Sequence, residues 1–236
     1  MNGGVDLGND FQSGAGYKLP TSMFDSPRPR IDPSILPRLM SELSIVNHPH
    51  PALRWKSRDV TRIDAQLKSW VEQMFELMYS ARGIGLAANQ VALPYRLFVI
   101  NPSGDPEEKD LEQVFINPQI LKRNGSETAA EGCLSLPEIY GPVTRAERIV
   151  VEAFDLSGQG FEMDLSGMPA RVVQHEYDHL DGVMFPDRMD AADVPEVQPL
   201  IDDLETQLRQ HQQNGSVPSD GELKAELQRL QAERTG

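Results

Sequence analysis

The sequence has one cysteine, relatively few basic residues and no long apolar run. A single cysteine, Cys133, among 236 residues excludes an intrachain disulfide, which is typical of a reducing compartment. Only 22 Lys and Arg stand against 36 Asp and Glu, so the formal net charge is −14. This argues against a broad surface for DNA, because such surfaces depend on lysine and arginine. No apolar run approaches the roughly 20 residues of a membrane span, so no membrane partner is expected.

The N-terminal region also lacks the marks of a targeting sequence. Its first twenty residues have no basic start followed by an apolar core, as a secretory signal would, and no arginine precedes Arg28. We therefore expect a cytoplasmic protein. The region is rich in Gly, Ser, Pro and Asp without periodicity, which predicts a flexible arm over residues 1–42.

Periodicity predicts a mixture of helices and strands in the middle of the chain. Apolar residues at helical spacing predict an amphipathic helix over 63–81, closed by Gly83. A second helix is expected from Pro169 to about Leu180, with Gly182 beyond its end. The predicted strands are 97–100, 114–121, 148–155 and 161–165, the last two as a hairpin. The pattern is typical of an α+β fold.

Beyond Met189 the sequence becomes polar. Two short helices are predicted over 200–212 and 221–234, joined by a Gly/Ser/Pro-containing linker. Helices this short are marginal without packing, so residues 190–236 are expected to form a loosely attached, partly helical tail.

Residues 175–179 spell His-Glu-Tyr-Asp-His. On a helix, His175 and His179 lie on one face, one turn apart, where both imidazoles can bind one divalent metal. Glu176, beside the first ligand, can then reach a metal-bound water. The alternative is an ordinary surface helix bearing two histidines.

A catalytic site of this type needs a third protein ligand, and Cys133 is the best candidate. It stands in Glu131-Gly-Cys-Leu-Ser-Leu-Pro, between predicted strands, and a thiolate is a strong soft ligand. His48, His50 and His211 are poor candidates, because they lie near the arm or in the tail. An inert, buried cysteine is the alternative.

The segment Gly83-Ile-Gly-Leu-Ala-Ala-Asn-Gln90 only loosely mimics a dinucleotide fingerprint. That fingerprint follows a strand and opens a helix, whereas this segment follows a helix. We expect its glycines to allow the backbone to approach a ligand closely. Gln90 offers a neutral side-chain amide of the kind that holds an oxyanion.

Together these segments resemble the peptide deformylases. The signatures of that family are G-I-G-L-A-A-x-Q, E-G-C-L-S and Q-H-E-x-D-H-L-x-G, and all three are present here in family order. The stretch Ile45–Arg54 is similar to the family's usual opening. The resemblance covers residues 43–189, which we take as the catalytic domain. It implies antiparallel sheets around a central helix that carries the two histidines, with the 63–81 helix packed outside.

The resemblance also implies a complete set of site residues. Cys133, His175 and His179 would bind the metal, natively iron(II), with zinc, nickel or cobalt as substitutes. Glu176 would act as general base and acid, and the Gln90 amide and the Leu134 N–H as oxyanion donors. Ile84 and Gly85 are expected to form part of the groove that binds the substrate peptide. Ile84 and Val173 are expected to line the pocket for the first side chain of that peptide. Core packing is the alternative for Val173.

The implied reaction removes the formyl group from the N-terminal formyl-methionine of new polypeptides. Some family members dock on the ribosome through a basic C-terminal helix, but the acidic tail here argues against such docking. Three other functions are considered: a His-Glu-x-x-His metallopeptidase that cleaves internal bonds, a metal-free amidase with a Cys133 nucleophile, and an interaction module using the tail. Near the site, Glu131 and Arg145 are expected to form an ion pair, either structural or solvated. Asp178 and Asp181 are expected to be exposed helix charges, and the alternative is that they orient a histidine N–H.

Overall fold

The computed structural model describes the backbone of residues 30–32 and 42–235 and the side chains of 42–234. The predicted arm over 1–42 therefore lies almost entirely outside the described residues. The strands are β1 (Arg30–Asp32), β2 (Arg62–Asp64), β3 (Gly85–Ala87), β4 (Leu97–Ile100), β5 (Gln113–Asn124), β6 (Glu127–Cys133), β7 (Leu136–Arg145), β8 (Arg148–Phe154) and β9 (Gly160–Ser166). The helices are α1 (Ala65–Ser80), α2 (Gly167–Leu180), α3 (Val194–Gln213) and α4 (Asp220–Thr235).

The largest sheet has five antiparallel strands in the order β3-β4-β5-β8-β9. Alternate residues of β8, Ile149, Val151 and Ala153, are fully buried, as expected of one face packed on a core. A separate two-stranded antiparallel sheet contains β6 and β7, and β1 pairs in parallel with β2. The α+β prediction is confirmed.

Helix α2 lies against the five-stranded sheet and contacts β3, β4, β8 and β9. It begins at Gly167, which has a positive φ of 60°, and Pro169 stands in its first turn, where a missing N–H costs nothing. It buries Ala170, Val173 and Leu180 completely against the sheet. Gly182 follows the end of α2 with φ 73°, and a Cβ there would collide with the backbone of Arg54.

Helix α1 begins where the Asp64 side chain accepts the Leu67 N–H, which is a standard N-cap. Its apolar stripe includes Leu67, Met74 and Met78, all fully buried in a second core. The helix contacts β2, β3 and β4.

The predicted strands all occur, as β4, β5, β8 and β9, with ends that differ by up to three residues. Strands β1, β2, β3, β6 and β7 were missed. Cys133 was expected between strands, but it is the last residue of β6. The segment Glu127–Cys133 has one β-branched residue, Thr128, and otherwise Glu, Ala, Gly and Cys, so its sequence gives little strand signal.

The prediction of a loosely attached tail is wrong. Both tail helices are present, and α4 lies on the catalytic domain with Leu227 only 1% exposed. The Trp55 indole N–H donates to Gln231 Oε1 at 3.0 Å, and Arg234 forms a buried ion pair with Asp64 at 2.8 Å. None of the described helices combines the length and hydropathy that a membrane crossing requires.

Candidate active site

Three potential metal ligands converge where β6 ends beside α2. The distance from His179 Nε2 to Cys133 Sγ is 3.4 Å, and the distance from His179 Nε2 to His175 Nε2 is 3.2 Å. Ligand atoms of the three residues are all within 4.8 Å of one another, and no other such group occurs among residues 42–234. A four-coordinate ion with bonds of about 2.0–2.3 Å separates its ligands by about 3.3–3.6 Å, so the spacing fits a metal.

The charges around this triad also fit a cation. Burial lowers the pKa of His175, but hydrogen bonds to Cys133 and Glu131 outweigh it and raise the pKa to about 10. Positive charge is therefore stabilised between the thiol and the imidazole, where a metal would displace the proton. Burial keeps the pKa of His179 well below its ordinary value, so this ring is in the neutral form that binds metals.

Glu131 orients the first histidine. Its Oε2 lies 3.0 Å from His175 Nδ1, which leaves Nε2 facing Cys133 and His179. Arg145 donates to both carboxylate oxygens, at 2.7 and 2.9 Å. Burial raises the pKa of Glu131, but the hydrogen bonds from His175 and Arg145 lower it overall to about 2. The Glu131–Arg145 ion pair is therefore buried and structural, not solvated.

Asp178 was expected to be exposed, and this was wrong. It is 8% exposed and accepts hydrogen bonds from Arg145 Nη1 at 2.8 Å and Arg188 Nη2 at 2.6 Å. Asp181 is more exposed, as expected, and forms an ion pair with Arg96 at 2.8 Å.

Glu176 is 4% exposed, and its Oε2 has no hydrogen-bond partner among the described residues. Burial raises the pKa of this carboxyl to about 7. Gly85 lies directly against it, and a Cβ at Gly85 would collide with Glu176 Oε1. The glycine therefore leaves space for an acid–base group that can exchange a proton near neutral pH.

Gln90 is 1% exposed and faces the same site. Its Oε1 accepts the Ala87 N–H at 2.8 Å, so its amide nitrogen points the other way and lies 3.4 Å from Cys133 Sγ. This orientation leaves an N–H donor beside the metal ligands. Leu134 follows Cys133, and its side chain lies next to Gly83.

A cavity of about 670 Å³ opens from the triad. Ile84, Gly85 and Glu176 line it as predicted, together with Gln90, Leu134, Cys133 and His175. The structure does not bring Val173 to this cavity: the residue is fully buried in the core, and its neighbour Val172 lines the wall. On a helix, adjacent residues point about 100° apart, so a one-residue error selects the wrong face.

Sequence reasoning also missed Arg171, Tyr140 and Met168, which line the cavity. Arg171 carried a usable signal, because it lies four residues before His175 and therefore on the same helical face.

Comparison with known proteins identifies the family. The family model described as polypeptide deformylase matches residues 42–194. The chain belongs to the peptide deformylases. A deformylase of Rhodopirellula baltica is 43% identical over 194 residues, covering 82% of this chain and 96% of the relative. The deformylase 1B of Arabidopsis thaliana, named as chloroplastic and mitochondrial, is 40% identical and covers 79% of this chain and 67% of the relative.

Solved deformylases share the fold. A crystal structure of a plant peptide deformylase superposes with a TM-score of 0.70 at 40% identity, covering 77% of this chain and 97% of the other. A deformylase of Plasmodium falciparum superposes with a TM-score of 0.69 at 36% identity, covering 74% of this chain and all of the other. The chain is thus a metal-dependent hydrolase that removes the formyl group from new peptides. The metallopeptidase and the metal-free amidase have no support.

Proposed function

We propose that Cys133, His175 and His179 hold one divalent ion, natively iron(II), which zinc, nickel or cobalt can replace. One thiolate and two imidazoles suit all four metals, and three protein ligands leave a further position open. When bound, such an ion acts as a Lewis acid that makes hydroxide available near neutral pH.

Glu176 then acts as general base and general acid. It takes the proton of the attacking water and passes it to the departing amine, which yields formate and a free methionyl N-terminus. Three observations support this role: Glu176 is next to His175, its Oε2 has no partner among the described residues, and its Oε1 lies beside Gly85.

The Gln90 amide and the Leu134 N–H hold the negative oxygen that develops on the formyl carbon. The Gln90 amide nitrogen lies 3.4 Å from Cys133 Sγ, which supports its role. One such donor is typically worth about 3 kcal/mol in the transition state.

The substrates are N-formylmethionyl nascent peptides. Gly85 admits the peptide backbone, while Ile84 and Val172 receive the methionine side chain, whose burial is worth about 2 kcal/mol. In the fold as a whole, α2 is the central helix and α1 packs outside the sheets. A cytoplasmic location stays a prediction, and so does a transient ribosome contact, against which the acidic tail argues.

The test is formate release from a formyl-methionyl tripeptide by the metal-loaded protein. Glu176→Gln should lower kcat about 10²–10⁴-fold while metal content is unchanged. Glu72→Gln, on the exposed face of α1, is the control and should match the wild type. A Glu176→Gln protein with wild-type turnover contradicts the proposal.

A further inference from the structure

Arg171 connects α2 to the β6–β7 hairpin. Its side chain is buried, at 7% exposed, and lies one helical turn before His175. Its Nη1 donates to Glu131 Oε1 at 2.7 Å and to the Val143 carbonyl at 3.0 Å, while its Nη2 donates to the Glu127 carbonyl at 2.8 Å. One guanidinium thus bonds to both strands of the hairpin.

This connection matters because the metal ligands lie on different elements. Cys133 ends β6, whereas His175 and His179 are on α2, and the hairpin shares no sheet pairing with the other described strands. The apolar contacts of the hairpin with Leu53, Met184 and Phe185 hold it in the fold but are non-directional. Directional hydrogen bonds must therefore set the distance from sulfur to imidazole.

Arg171 and His175 bond to the two oxygens of the same carboxylate. Arg171 holds Glu131 Oε1 and His175 Nδ1 meets Oε2, from consecutive turns of α2. Glu131 is two residues before Cys133 on β6. Arg145 also bonds Glu131, but it extends from the hairpin and reaches α2 at Asp178. Gln174 bonds Ala170 within its own helix and Ala146, which lies beyond the end of β7.

We infer that Arg171 is a positioning residue that fixes the Cys133 strand and the His175 ring relative to each other, and so sets the affinity of the site for its metal. This inference rests on the proposed metal site. Residues that bond directly to a metal ligand, as Glu131 does to His175, typically contribute about 10–100-fold in metal affinity, and Arg171 holds that residue in place. Arginine suits the role because its planar fork bonds several acceptors at once, which the point charge of lysine cannot do.

The test measures Zn²⁺ affinity by competition with a chelator, and the absorption spectrum after Co²⁺ substitution, for the full-length chain. Arg171→Met should raise the Kd for Zn²⁺ about tenfold or more and shift the cobalt bands, because the sulfur and imidazole positions relax. Arg171→Lys should give an intermediate Kd. Arg148→Met removes an exposed arginine paired with Asp164 and should leave both measurements unchanged.

Two results overturn the inference. One is a Kd within twofold of wild type and an unchanged cobalt spectrum in Arg171→Met. The other is that Arg171→Met is destabilised or unfolded while Arg171→Lys binds metal as the wild type does. That result would make the role of Arg171 purely structural. If the wild-type chain itself shows no sulfur-to-cobalt charge-transfer band, the proposed metal site fails, and that failure is distinct.

Discussion

At the scale of single residues, the site depends on buried charges that satisfy one another. Glu131 and Asp178 are both buried carboxylates, and Arg145 bonds to each of them. Removing one partner of a buried ion pair leaves an uncompensated charge, which is far more costly than losing a surface pair. The orientation of His175, which bonds Glu131, therefore depends on Arg145, although Arg145 does not contact His175.

Arg145→Ala should accordingly lower the free energy of unfolding by about 3–5 kcal/mol, measured by urea denaturation. Arg148→Ala, which breaks the exposed pair with Asp164, should change it by at most about 1 kcal/mol. Equal effects of the two substitutions would show that the buried network contributes no more than a surface pair.

The convergence of Cys133, His175 and His179 could be predicted from sequence, because His175 and His179 are four residues apart on a helix and Cys133 lies in a recognisable segment. The burial of Asp178 could not be predicted from the sequence. Its partners, Arg145 and Arg188, are 33 and 10 residues away along the chain, and nothing local in the α2 sequence indicates that they meet.

At the scale of elements, the docking of α4 is the largest departure from the sequence prediction. The helix is mostly polar, and its three leucines at helical spacing, Leu223, Leu227 and Leu230, are too few for the sequence to predict that it packs on another surface. Its binding surface is formed by distant residues: Trp55 contacts Gln231, and Tyr95 and Thr61 donate to the carbonyls of Leu230 and Arg234. Only the folded arrangement of the catalytic domain creates that surface. Helix α1 was predictable because its apolar residues recur with a helical period, and β4, β5, β8 and β9 because of their apolar runs or alternation.

Leu227→Ala should lower the free energy of unfolding by about 2–5 kcal/mol, because the side chain is 1% exposed and its loss leaves a cavity. Lys224→Ala, on the exposed side of the same helix, should change it by less than about 0.5 kcal/mol. Thermal or urea unfolding of both proteins provides the comparison. A loosely attached helix would make the two variants alike.

The attachment of α4 should also be sensitive to acid. Burial raises the pKa of Asp64, but hydrogen bonds from Arg234 and the Leu67 N–H outweigh it and hold the pKa below its ordinary 3.8. Because the folded-state pKa is depressed, ionised Asp64 stabilises the fold fully at pH values above its ordinary pKa. This stabilisation is lost as the pH falls through the lowered, folded-state pKa. Asp64→Asn should therefore lower stability at pH 7 and flatten its dependence on pH below about 4, as urea titrations at several pH values would reveal.

At the scale of the whole molecule, we expect the single cysteine to make the enzyme sensitive to oxidants through its active site. Cys133 is the only thiol in the chain, and it lies against both histidines. A thiolate on iron(II) is open to oxidation by oxygen and peroxide. The iron-loaded enzyme should therefore lose formate-releasing activity in air or dilute peroxide, while the nickel and zinc forms survive longer. Equal half-lives for all three forms would count against iron–thiolate ligation.

X-ray absorption at the metal edge of the zinc- or iron-loaded protein tests the central claim most directly, because it reports which atoms surround the ion. One sulfur at about 2.3 Å and two imidazole nitrogens at about 2.0–2.1 Å are predicted for zinc, with a lighter atom in the remaining position. Cys133→Ser should remove the sulfur signal and leave the imidazole signal. A spectrum of the wild-type protein without a sulfur neighbour, or with a single imidazole, would contradict the assignment of Cys133, His175 and His179.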